Sequence, residues 1–545
     1  MTQRIQIIRR CLGNVVDEAA ERFGNAVGWT FEERNVSFAE MRRRADEVAR
    51  SLIRLGVGPG DVVAVWIPNL VEFAACLFGA AKIGAVLTAI NTRSKLFELE
   101  HVLGHSGASV VVMSDRFLGQ DFIGMMRTVL GENAISADGQ VKSAAFPKLV
   151  QLVAVPGSSA MGLMPWDGFV TLGADVPERD LQAAGRARKP EEPVLLQYTS
   201  GTTALPKGAL CNHVYVLNFG RDNVVRLGVG PGEAMLSTQP FYHVGGSCGA
   251  VSTPLIQQCR VVIPEYYEPE RVMTLIERER CVARTGFAAM YLMEMEHPRF
   301  GSFDLSSLRA GWCVAPTEVM ERIRDEMKLP GLIQIYGATE ASGASGSLDD
   351  PWEKRSRSCG RPFTDMEIGI FDPETGQRLP AGVSGEIALR GWCTMSGYLD
   401  QLAETRRTID AEGWVHSGDY GMVDDDGFLY FQGRLKNMIR VGGENVSAEE
   451  VEAMLLRHPK VKMAAAIPVP DPRLDEVVLA VVELREGAEA TESEIIDFCK
   501  PRMANFRVPR MVRFVSEWPM TGSGKIQKHI LVDHYSRAIC AARAG

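Results

Sequence analysis

The first third of the chain alternates helical segments with short, fully apolar runs. Ser37 and Glu40 have the spacing of a helix-capping box, and apolar residues then recur at helical intervals. The run Val62–Ile67 follows, and a continuous apolar run of this length is typical of a strand buried on both faces. A second helix from about Glu72 and another apolar run at 110–113 continue the alternation. The pattern predicts an α/β fold with helices packed against mainly parallel strands.

One heptapeptide occurs twice. Arg54–Gly60 reads RLGVGPG and Arg226–Gly232 repeats it, each time followed by an acidic residue and an apolar run. Gly and Pro dominate helix-to-strand turns, so two unrelated turns of one type would explain the match. The interpretation we favour is that the copies mark two related α/β subdomains in tandem.

The C-terminal part predicts a separate, smaller α+β unit. Capping boxes that begin at Ser447 and Thr491 each open a helix, with two strand-like runs between them. The polar stretch before this unit predicts the boundary. We expect a large N-terminal domain (1–433) of α/β subdomains, a hinge (434–437) and a small mobile C-terminal α+β domain (438–545).

Composition excludes several classes of function. The chain carries 68 acidic and 59 basic residues and a net charge of −9, which argues against a protein that coats nucleic acid. Its 11 cysteines include no Cys-x-x-Cys pair, which favours free thiols in a reducing compartment over disulfides or a zinc site. The N-terminus lacks the apolar core of a signal peptide, and no uncharged stretch is long enough to span a bilayer. We therefore expect a cytoplasmic protein with no nucleic-acid partner and no integral membrane segment.

The strongest local motif follows a predicted strand at 194–198. Residues 199–208 read TSGTTALPKG, so hydroxyls, small residues and one lysine share a loop. Such a loop can donate many hydrogen bonds to a polyphosphate. It is not a Walker A loop, which requires Gly-Lys-Ser/Thr, because here Lys207 precedes Gly208. Alone, a Ser/Thr/Gly loop is more often only a loop, and its significance comes from the motifs that follow it.

Further motifs occur downstream. Residues 336–340 (YGATE) combine an aromatic plane, a tight turn, a hydroxyl and a carboxylate, and 417–419 (SGD) place a carboxylate on a turn. GRLK at 433–436 and GGEN at 442–445 come next, and 521–525 (TGSGK) present a lysine on a flexible loop. In order and spacing these motifs resemble the adenylate-forming superfamily of acyl-CoA synthetases, nonribosomal-peptide adenylation domains and firefly luciferase. The resemblance covers essentially the whole chain and is best to the acyl-CoA synthetase branch.

The resemblance implies that a carboxylate attacks the α-phosphate of ATP and expels pyrophosphate. Catalysis of such a step depends on charge neutralisation and in-line positioning. Lys525 would bridge the carboxylate and the α-phosphate, with Glu340 and His243 as further catalytic residues. Thr199 and Glu340 would hold Mg²⁺, a hard cation that prefers oxygen ligands. The ATP- and AMP-binding residues implied are Thr199, Ser200, Gly201, Thr202, Thr203, Lys207, Gln334, Tyr336, Gly337, Thr339, Asp419 and Arg434.

The second half-reaction implied is thioester formation with CoA. The small domain would rotate about Lys436, so that Lys525 leaves the site and the thiol reaches the acyl-adenylate. Glycines suit the pantetheine tunnel because the backbone must approach a ligand closely. The residues implied for this tunnel are Arg440, Gly442, Gly443 and Glu444.

The implied acyl pocket is apolar or small in character. Its residues are Tyr242, His243, Gly286, Ala288, Gly311, Trp312 and Cys313. No acidic residue is present there to bind an amino group, which favours a hydrophobic monocarboxylic acid (fatty, cyclic aliphatic or aromatic). The sequence departs from the family at Ala204, where glycine is usual in the phosphate loop, and at Trp312, whose indole should narrow or redirect the cavity.

Other functions stay open at this stage. An adenylating enzyme that loads a carrier-protein thiol, a luciferase-like oxygenase and a catalytically inactive nucleotide-binding regulator share the same motifs. Asp419 alone could cap a turn and His243 alone could be a core histidine. The joint presence of Glu340, Asp419 and Lys525 weighs against the inactive regulator. The expected partners are a small carboxylic acid, ATP and CoA, and a homodimer stays open.

Overall fold

Helices and strands alternate along most of the chain, as the apolar pattern predicts. The structure, a computed structural model, describes residues 6–131, 133–158, 162–199, 206–441, 444–471, 473–520 and 526–544. The helices are α1 (Leu12–Phe23), α2 (Phe38–Arg54), α3 (Val71–Ile83), α4 (Leu96–Ser106), α5 (Phe122–Leu130), α6 (Trp166–Leu172), α7 (Glu178–Arg186), α8 (His213–Arg226), α9 (Val251–Gln257), α10 (Pro269–Glu279), α11 (Ala288–Met295), α12 (Thr317–Glu326), α13 (Trp352–Arg357), α14 (Leu402–Thr408), α15 (Ala448–Leu456), α16 (Glu492–Cys499) and α17 (Lys528–Ala544). The strands are β1 (Val27–Phe31), β2 (Arg34–Ser37), β3 (Val62–Trp66), β4 (Val86–Ala89), β5 (Ala108–Met113), β6 (Arg116–Phe117), β7 (Gln120–Asp121), β8 (Gln151–Ala154), β9 (Met164–Pro165), β10 (Pro193–Thr199), β11 (Lys207–Asn212), β12 (Ala234–Leu236), β13 (Arg260–Ile263), β14 (Ala283–Thr285), β15 (Ala310–Trp312), β16 (Gly331–Ile333), β17 (Ile335–Gly337), β18 (Ser342–Ser345), β19 (Arg361–Pro362), β20 (Met366–Phe371), β21 (Gly385–Gly391), β22 (Gly397–Tyr398), β23 (Val415–Val423), β24 (Leu429–Arg434), β25 (Met438–Val441), β26 (Glu444–Ser447), β27 (Val461–Asp471), β28 (Asp475–Leu484) and β29 (Met511–Phe514).

Two large sheets carry most of the first 400 residues. The eight-stranded sheet has the order β22-β11-β10-β4-β3-β5-β8-β9, and the seven-stranded sheet has the order β16-β15-β14-β12-β13-β1-β2. The inner neighbours of both sheets run parallel, as βαβ units require. Every residue of β3 is buried, which explains why its sequence is apolar at successive positions instead of alternating.

The two RLGVGPG segments have the same local structure. One leads from α2 into β3 of the eight-stranded sheet, and the other leads from α8 into β12 of the seven-stranded sheet. In both copies the first and last glycine have positive φ, a conformation that costs glycine little. The main-chain N–H of the middle glycine donates to the acid that follows, Asp61 or Glu233, at 2.9 and 2.8 Å. The shared turn geometry follows from the shared sequence, and the relation between the two subdomains stays a prediction.

By compactness the chain divides into two units. The first holds most residues up to 368 together with 389–415, and the second holds 369–388 and 416–545. In the second unit, β26, β25, β28, β27 and β29 form one sheet. Alternate residues of β27 and β28 pack with α15 and α16 on one face and with α17 on the other. This α+β sheet is the small C-terminal unit that the sequence predicts, while the hinge position at 434–437 stays a prediction.

Candidate active site

A hairpin of β10 and β11 carries both ends of the predicted polyphosphate loop. The strands are antiparallel, and Thr199 at the end of β10 lies opposite Lys207 at the start of β11. The Lys207 ammonium forms an ion pair with Glu404 of α14 and lies 5.2 Å from the centre of the Tyr398 ring. The hydrogen bond from Lys207 lowers the pKa of Glu404. The intervening predicted ligands lie outside the described residues: Ser200, Gly201, Thr202 and Thr203.

The predicted metal ligand Glu340 contacts the same tyrosine. The Tyr398 hydroxyl donates to Glu340 Oε1 at 2.9 Å. Tyr398 therefore contacts two predicted groups at once, since its ring faces Lys207 and its hydroxyl reaches Glu340. The neighbouring Thr339 is also held in place, because the Tyr215 hydroxyl donates to its carbonyl at 3.3 Å. The structure thus brings Lys207 and Glu340 together around one side chain.

The predicted nucleotide residues before Glu340 lie on and beside β17. Tyr336 is buried within this strand, and the Gln334 amide donates to the Ser356 carbonyl at 2.7 Å. Gly337 is the last residue of the strand, and the predicted tight turn comes one residue later, at 338–341. A Cβ on Gly337 would lie 1.9 Å from a side-chain oxygen of the next strand, so close packing explains this glycine.

Asp419 and Arg434 form a pair in the second unit. They are register partners of the antiparallel strands β23 and β24, and Arg434 Nε lies 2.8 Å from Asp419 Oδ1. Asp419 is buried, whereas 48% of the Arg434 side chain is exposed. The expectation that Asp419 lies on a turn is wrong, because it lies inside β23, where Gly418 has positive φ and interrupts regular strand geometry. The contact places the two predicted nucleotide-binding residues side by side, and their role at the ribose stays a prediction.

The other predicted residues of the C-terminal part are described only in part. Lys436 lies in a short 3₁₀ turn between β24 and β25. Arg440 is exposed on β25, and its main-chain N–H donates to Glu476 at 2.8 Å. Glu444 is the first residue of β26. Gly442, Gly443 and Lys525 lie outside the described residues.

Strand β10 also positions the predicted acyl-site loop. The Gln197 side-chain amide donates to the Tyr242 carbonyl, and its oxygen accepts a hydrogen bond from Ser247 at 3.2 Å. The Ser247 hydroxyl also lies 3.0 Å from the His243 carbonyl, as donor to it. Gln197 and Ser247 thereby hold the main chain on both sides of His243. Because Gln197 lies two residues before Thr199, one strand supports both the acyl loop and the phosphate hairpin.

Several predicted acyl-pocket residues face the protein core. A Cβ on Gly286 would lie 2.7 Å from the Tyr291 ring, and a Cβ on Gly311 would lie 2.9 Å from the Tyr291 hydroxyl. Cys313 belongs to the same buried cluster as Tyr291, and Ala288 packs against that cluster. The two glycines therefore make room for Tyr291, and they offer only backbone to any ligand on the opposite face of the sheet.

Trp312 faces away from this core. Side chains alternate along a strand, so Trp312 projects from the face opposite to Gly311. Its ring meets Phe287 edge-on, with ring centres 5.8 Å apart. Trp312 is buried, but 43% of the surface of Phe287 is exposed. The role of Trp312 in the acyl pocket stays a prediction.

A fully buried ion pair lies behind the glycines. Arg284 of β14 makes a two-pronged contact with Glu294 of α11, with one N···O distance of 2.9 Å. The Arg284 guanidinium also stacks 4.1 Å from the centre of the Tyr291 ring. Tyr291 in turn donates its hydroxyl to the Trp312 carbonyl at 3.0 Å. One polar cluster thus connects β14, α11 and β15, and the last two carry Ala288, Gly311 and Trp312 of the predicted pocket.

Sequence analysis missed the residues that hold the candidate site together. Tyr398 and Glu404 contact groups 58 and 197 positions away, and Gln197 contacts a carbonyl 45 positions away. Arg284 and Glu294 are closer in sequence, but their charges resemble those of any surface pair until the fold buries them. No short motif marks any of these five residues, so only strand order could have revealed them.

The candidate metal ligands fit Mg²⁺ that arrives with a polyphosphate. Within the described part of the chain, no cluster of three or more His, Cys, Asp or Glu could hold a metal ion. Glu340, whose carboxylate accepts a hydrogen bond from Tyr398, would supply one carboxylate oxygen, and Thr199 would supply a hydroxyl. Mg²⁺ is usually bound through one or two carboxylates plus substrate phosphates, and it keeps several waters. This small donor set suits such an ion and does not suit an all-protein cage.

Two further expectations concern the cysteines and the membrane-spanning segments. The ten cysteines whose side chains the structure describes are free and buried. None of the described helices is both long enough and apolar enough to cross a bilayer.

Comparison with known proteins identifies the class. Residues 16–399 match the family model described as AMP-binding enzyme, and residues 450–525 match the AMP-binding enzyme C-terminal domain. The chain therefore belongs to the AMP-binding enzyme family, within the adenylate-forming superfamily. The predicted superfamily is confirmed. The two matches leave 400–449 unassigned, so they do not locate the hinge.

Individual relatives define the type of enzyme. The chain is 34% identical over 503 residues to the 3-[(3aS,4S,7aS)-7a-methyl-1,5-dioxo-octahydro-1H-inden-4-yl]propanoyl:CoA ligase of Mycobacterium tuberculosis, covering 91% of this chain and 93% of the relative. It is 31% identical over 532 residues to the mitochondrial medium-chain acyl-CoA ligase ACSF2 of Danio rerio, covering 96% and 87%. A crystal structure of the anthranilate CoA ligase AuaEII in complex with anthranoyl-AMP has the same fold, with a TM-score of 0.82, 24% identity and coverage of 98% and 99%.

These relatives confirm the predicted enzyme class and fold class. The protein is an acid–thiol ligase of the AMP-forming acyl-CoA synthetase type, with a carboxylic acid, ATP and CoA as substrates. Its fold is α/β, with a large N-terminal and a smaller C-terminal domain. The roles of individual site residues, the cytoplasmic location and the homodimer stay predictions.

Proposed function

We propose that the enzyme activates a hydrophobic monocarboxylic acid through an acyl-adenylate. In the first step a carboxylate oxygen attacks the α-phosphorus of ATP, the bond from that phosphorus to the bridging oxygen breaks, and pyrophosphate leaves. In the second step the CoA thiolate attacks the acyl carbon and AMP leaves. The thiol proton is released to solvent, so the products are acyl-CoA, AMP and pyrophosphate.

The observation that carries this proposal is the contact of Tyr398 with both Lys207 and Glu340. A cation and a carboxylate held about one tyrosine, at the mouth of a Ser/Thr/Gly-rich hairpin, suit a triphosphate and its counter-ion. Anion–anion attack requires charge neutralisation at fixed positions, and rigid strands supply such positions better than loops do.

The first step would use residues of both ends of the chain. Lys207 and the hydroxyls of the loop bind the β- and γ-phosphates, with Tyr336 and Thr339 at the adenosine and the α-phosphate. Lys525 places its ammonium between the attacking carboxylate and the α-phosphate. Mg²⁺, held through Glu340 and Thr199, would neutralise phosphate charge when bound. His243, fixed through its main chain by Ser247, would lie beside the acyl group.

The second step would use the residues at the predicted hinge. Asp419, oriented by its contact with Arg434, would bind the ribose hydroxyls. Rotation at Lys436 would withdraw Lys525 and bring Arg440 and residues 442–444 to the pantetheine. A glycine pair permits close approach of the backbone to this ligand.

The pocket residues support a compact or medium-length apolar acid. Phe287 and Trp312 supply aromatic surface, and Tyr291 fills the space behind Gly286 and Gly311. None of the predicted lining residues carries a carboxylate for a substrate amino group. One relative is named for a fused-ring propanoyl acid and another for medium-chain acids, and both kinds fall within this class.

One assay tests the proposal. Purified protein with ATP and Mg²⁺ is given a series of straight-chain, cyclic aliphatic and aromatic acids, and pyrophosphate release is measured with and without CoA. We expect single-turnover pyrophosphate release without CoA and continuous turnover with it. Isotope exchange between labelled pyrophosphate and ATP, dependent on the acid, would establish the adenylate. Release that requires a carrier protein in place of CoA, or no acid-dependent release at all, would contradict the proposal.

A further inference from the structure

The segment formed by β22 and α14 carries two side chains that reach the phosphate hairpin. Strand β22 pairs with β11, so that Tyr398 lies opposite Ala209, two residues after Lys207. The Tyr398 main-chain N–H donates to the Thr405 hydroxyl at 2.9 Å, which ties the strand to α14. Glu404, the neighbour of Thr405, is therefore fixed relative to Lys207 by main-chain pairing and by a cap-like hydrogen bond.

Glu404 divides its two carboxylate oxygens between two cations. Oε1 pairs with Lys207, and Oε2 lies 3.4 Å from Arg407. The Arg407 side chain is 80% exposed, whereas Lys207 and Glu404 are 35% and 29% exposed. The Lys207–Glu404 pair is the less exposed of the two. It is still accessible enough for a ligand to compete for Lys207.

The Lys207 ammonium is thus neutralised by a carboxylate of the chain itself. Its carboxylate partner is Glu404, and the Tyr398 ring lies beneath it. A polyphosphate at this hairpin carries more negative charge than one carboxylate. To bind the Lys207 ammonium, it must displace the Glu404 carboxylate from it. The net strength of a partly exposed ion pair is small, so this exchange is reversible at ordinary nucleotide concentrations.

We propose that Glu404 is the resting counter-ion of Lys207, which ATP displaces on binding and which Lys207 regains when pyrophosphate leaves. Glu404 is then a positioning residue that weakens polyphosphate binding and favours product release. The proposal rests on the proposed function, because it assigns Lys207 to the β- and γ-phosphates.

The test is direct binding, without turnover. Dissociation constants for ATP and for inorganic pyrophosphate are measured by calorimetry with Mg²⁺ present and no acid. Glu404→Gln keeps the size of the side chain but removes its charge, and we expect both ligands to bind about three- to fivefold more tightly, the range that loss of a competing surface ion pair allows. In a Lys207→Met background, Glu404→Gln should give no gain, because the residue for which it competes is absent.

Glu412→Gln is the matched control. It removes the same charge from the exposed turn after α14, and its binding constants should equal those of the wild type. Unchanged or weaker binding by Glu404→Gln would overturn the proposal, as would a gain that persists without Lys207. If the wild-type protein itself bound neither ligand, the proposed function would fail, which is a separate result. Melting temperatures of all variants identify any loss of folding.

Discussion

Two buried tyrosines have different roles at the candidate site. Tyr291 fills the space that Gly286 and Gly311 leave free, and it donates its hydroxyl to a main-chain carbonyl. Tyr398 instead donates a hydrogen bond from its hydroxyl to the Glu340 carboxylate, and its ring packs against the Lys207 ammonium. At the scale of single residues, the surroundings of Gly286, Gly311 and Lys207 are thus each set by a tyrosine, and neither tyrosine belongs to a predicted motif.

The first prediction at this scale concerns Lys525→Ala. Loss of a cation at the developing charge should slow adenylate formation by about 10²–10³. Thioester formation from chemically prepared acyl-adenylate should change much less, because the lysine is displaced in that step. Rapid-quench assays of the two half-reactions measure both effects. Lys500→Ala, an exposed lysine of the same unit, serves as the control. Equal loss in both half-reactions would contradict the assigned role.

A second prediction concerns the acyl cavity. Trp312→Gly removes an indole that packs edge-on against Phe287, so the enzyme should shift its preference toward bulkier or longer acids. The hydrogen bond from Tyr291 persists because it ends on the main-chain carbonyl. Values of kcat/KM across a series of chain lengths and ring sizes measure the shift. Trp312→Phe keeps an aromatic ring and should preserve the order of preference. An unchanged order in Trp312→Gly would show that this residue does not line the cavity.

At the scale of elements, one buried ion pair joins a strand to a helix. Arg284 and Glu294 are fully buried and connect β14 to α11. Removing one partner leaves an uncompensated charge in the core, so Glu294→Gln should lower the free energy of unfolding by about 3–5 kcal/mol. Denaturant unfolding curves measure this change. If Glu294→Gln still folds, we also expect it to prefer carboxylic acid substrates in a different order, because α11 supports the wall of the predicted acyl pocket.

An exposed pair from the same region provides the comparison. Arg280 and Asp304 contact each other at 2.6 Å, but both side chains are more than half exposed. Asp304→Asn should therefore lower the free energy of unfolding much less than Glu294→Gln does. If the two variants lost equal stability, burial would not be the reason for the strength of the Arg284–Glu294 pair.

The elements also show how far the sequence leads. The apolar run of β3 and the N-caps at Ser37 and Thr491 predict real elements because local chemistry decides them. The motif at 199–208 predicts a loop after a strand, but the pairing of Thr199 with Lys207 in a hairpin is seen only in the structure. Asp419 was expected on a turn, since Ser-Gly-Asp usually forms one, but pairing with β24 keeps it in a strand. A local sequence pattern does not determine which strands distant in sequence pair with each other.

At the scale of the whole molecule, a single short turn joins the two sheets of the second unit. The 3₁₀ turn at 435–437 leads from β24, which ends at Arg434, into β25 of the C-terminal sheet. Arg434 and Met438 on either side have extended backbone. A turn of three residues between two extended strands confines any change of direction to a few dihedral angles, which is the property of a hinge.

The last prediction concerns this turn, through Lys436→Pro. Proline fixes its own φ near about −65° and disfavours helical backbone at the residue before it. Leu435 belongs to the 3₁₀ turn, so the substitution should force it toward extended backbone and remove one orientation of the small domain. We expect ATP and acid to form adenylate and release pyrophosphate in a single turnover, while transfer to CoA is severely slowed.

Two comparisons separate a hinge from a merely weakened linker. Lys436→Ala removes the same ammonium but leaves the backbone free, so both half-reactions should continue. A destabilised linker would instead depress both half-reactions of Lys436→Pro together and lower its melting temperature. Full retention of overall turnover by Lys436→Pro would show that the rotation does not occur at this residue.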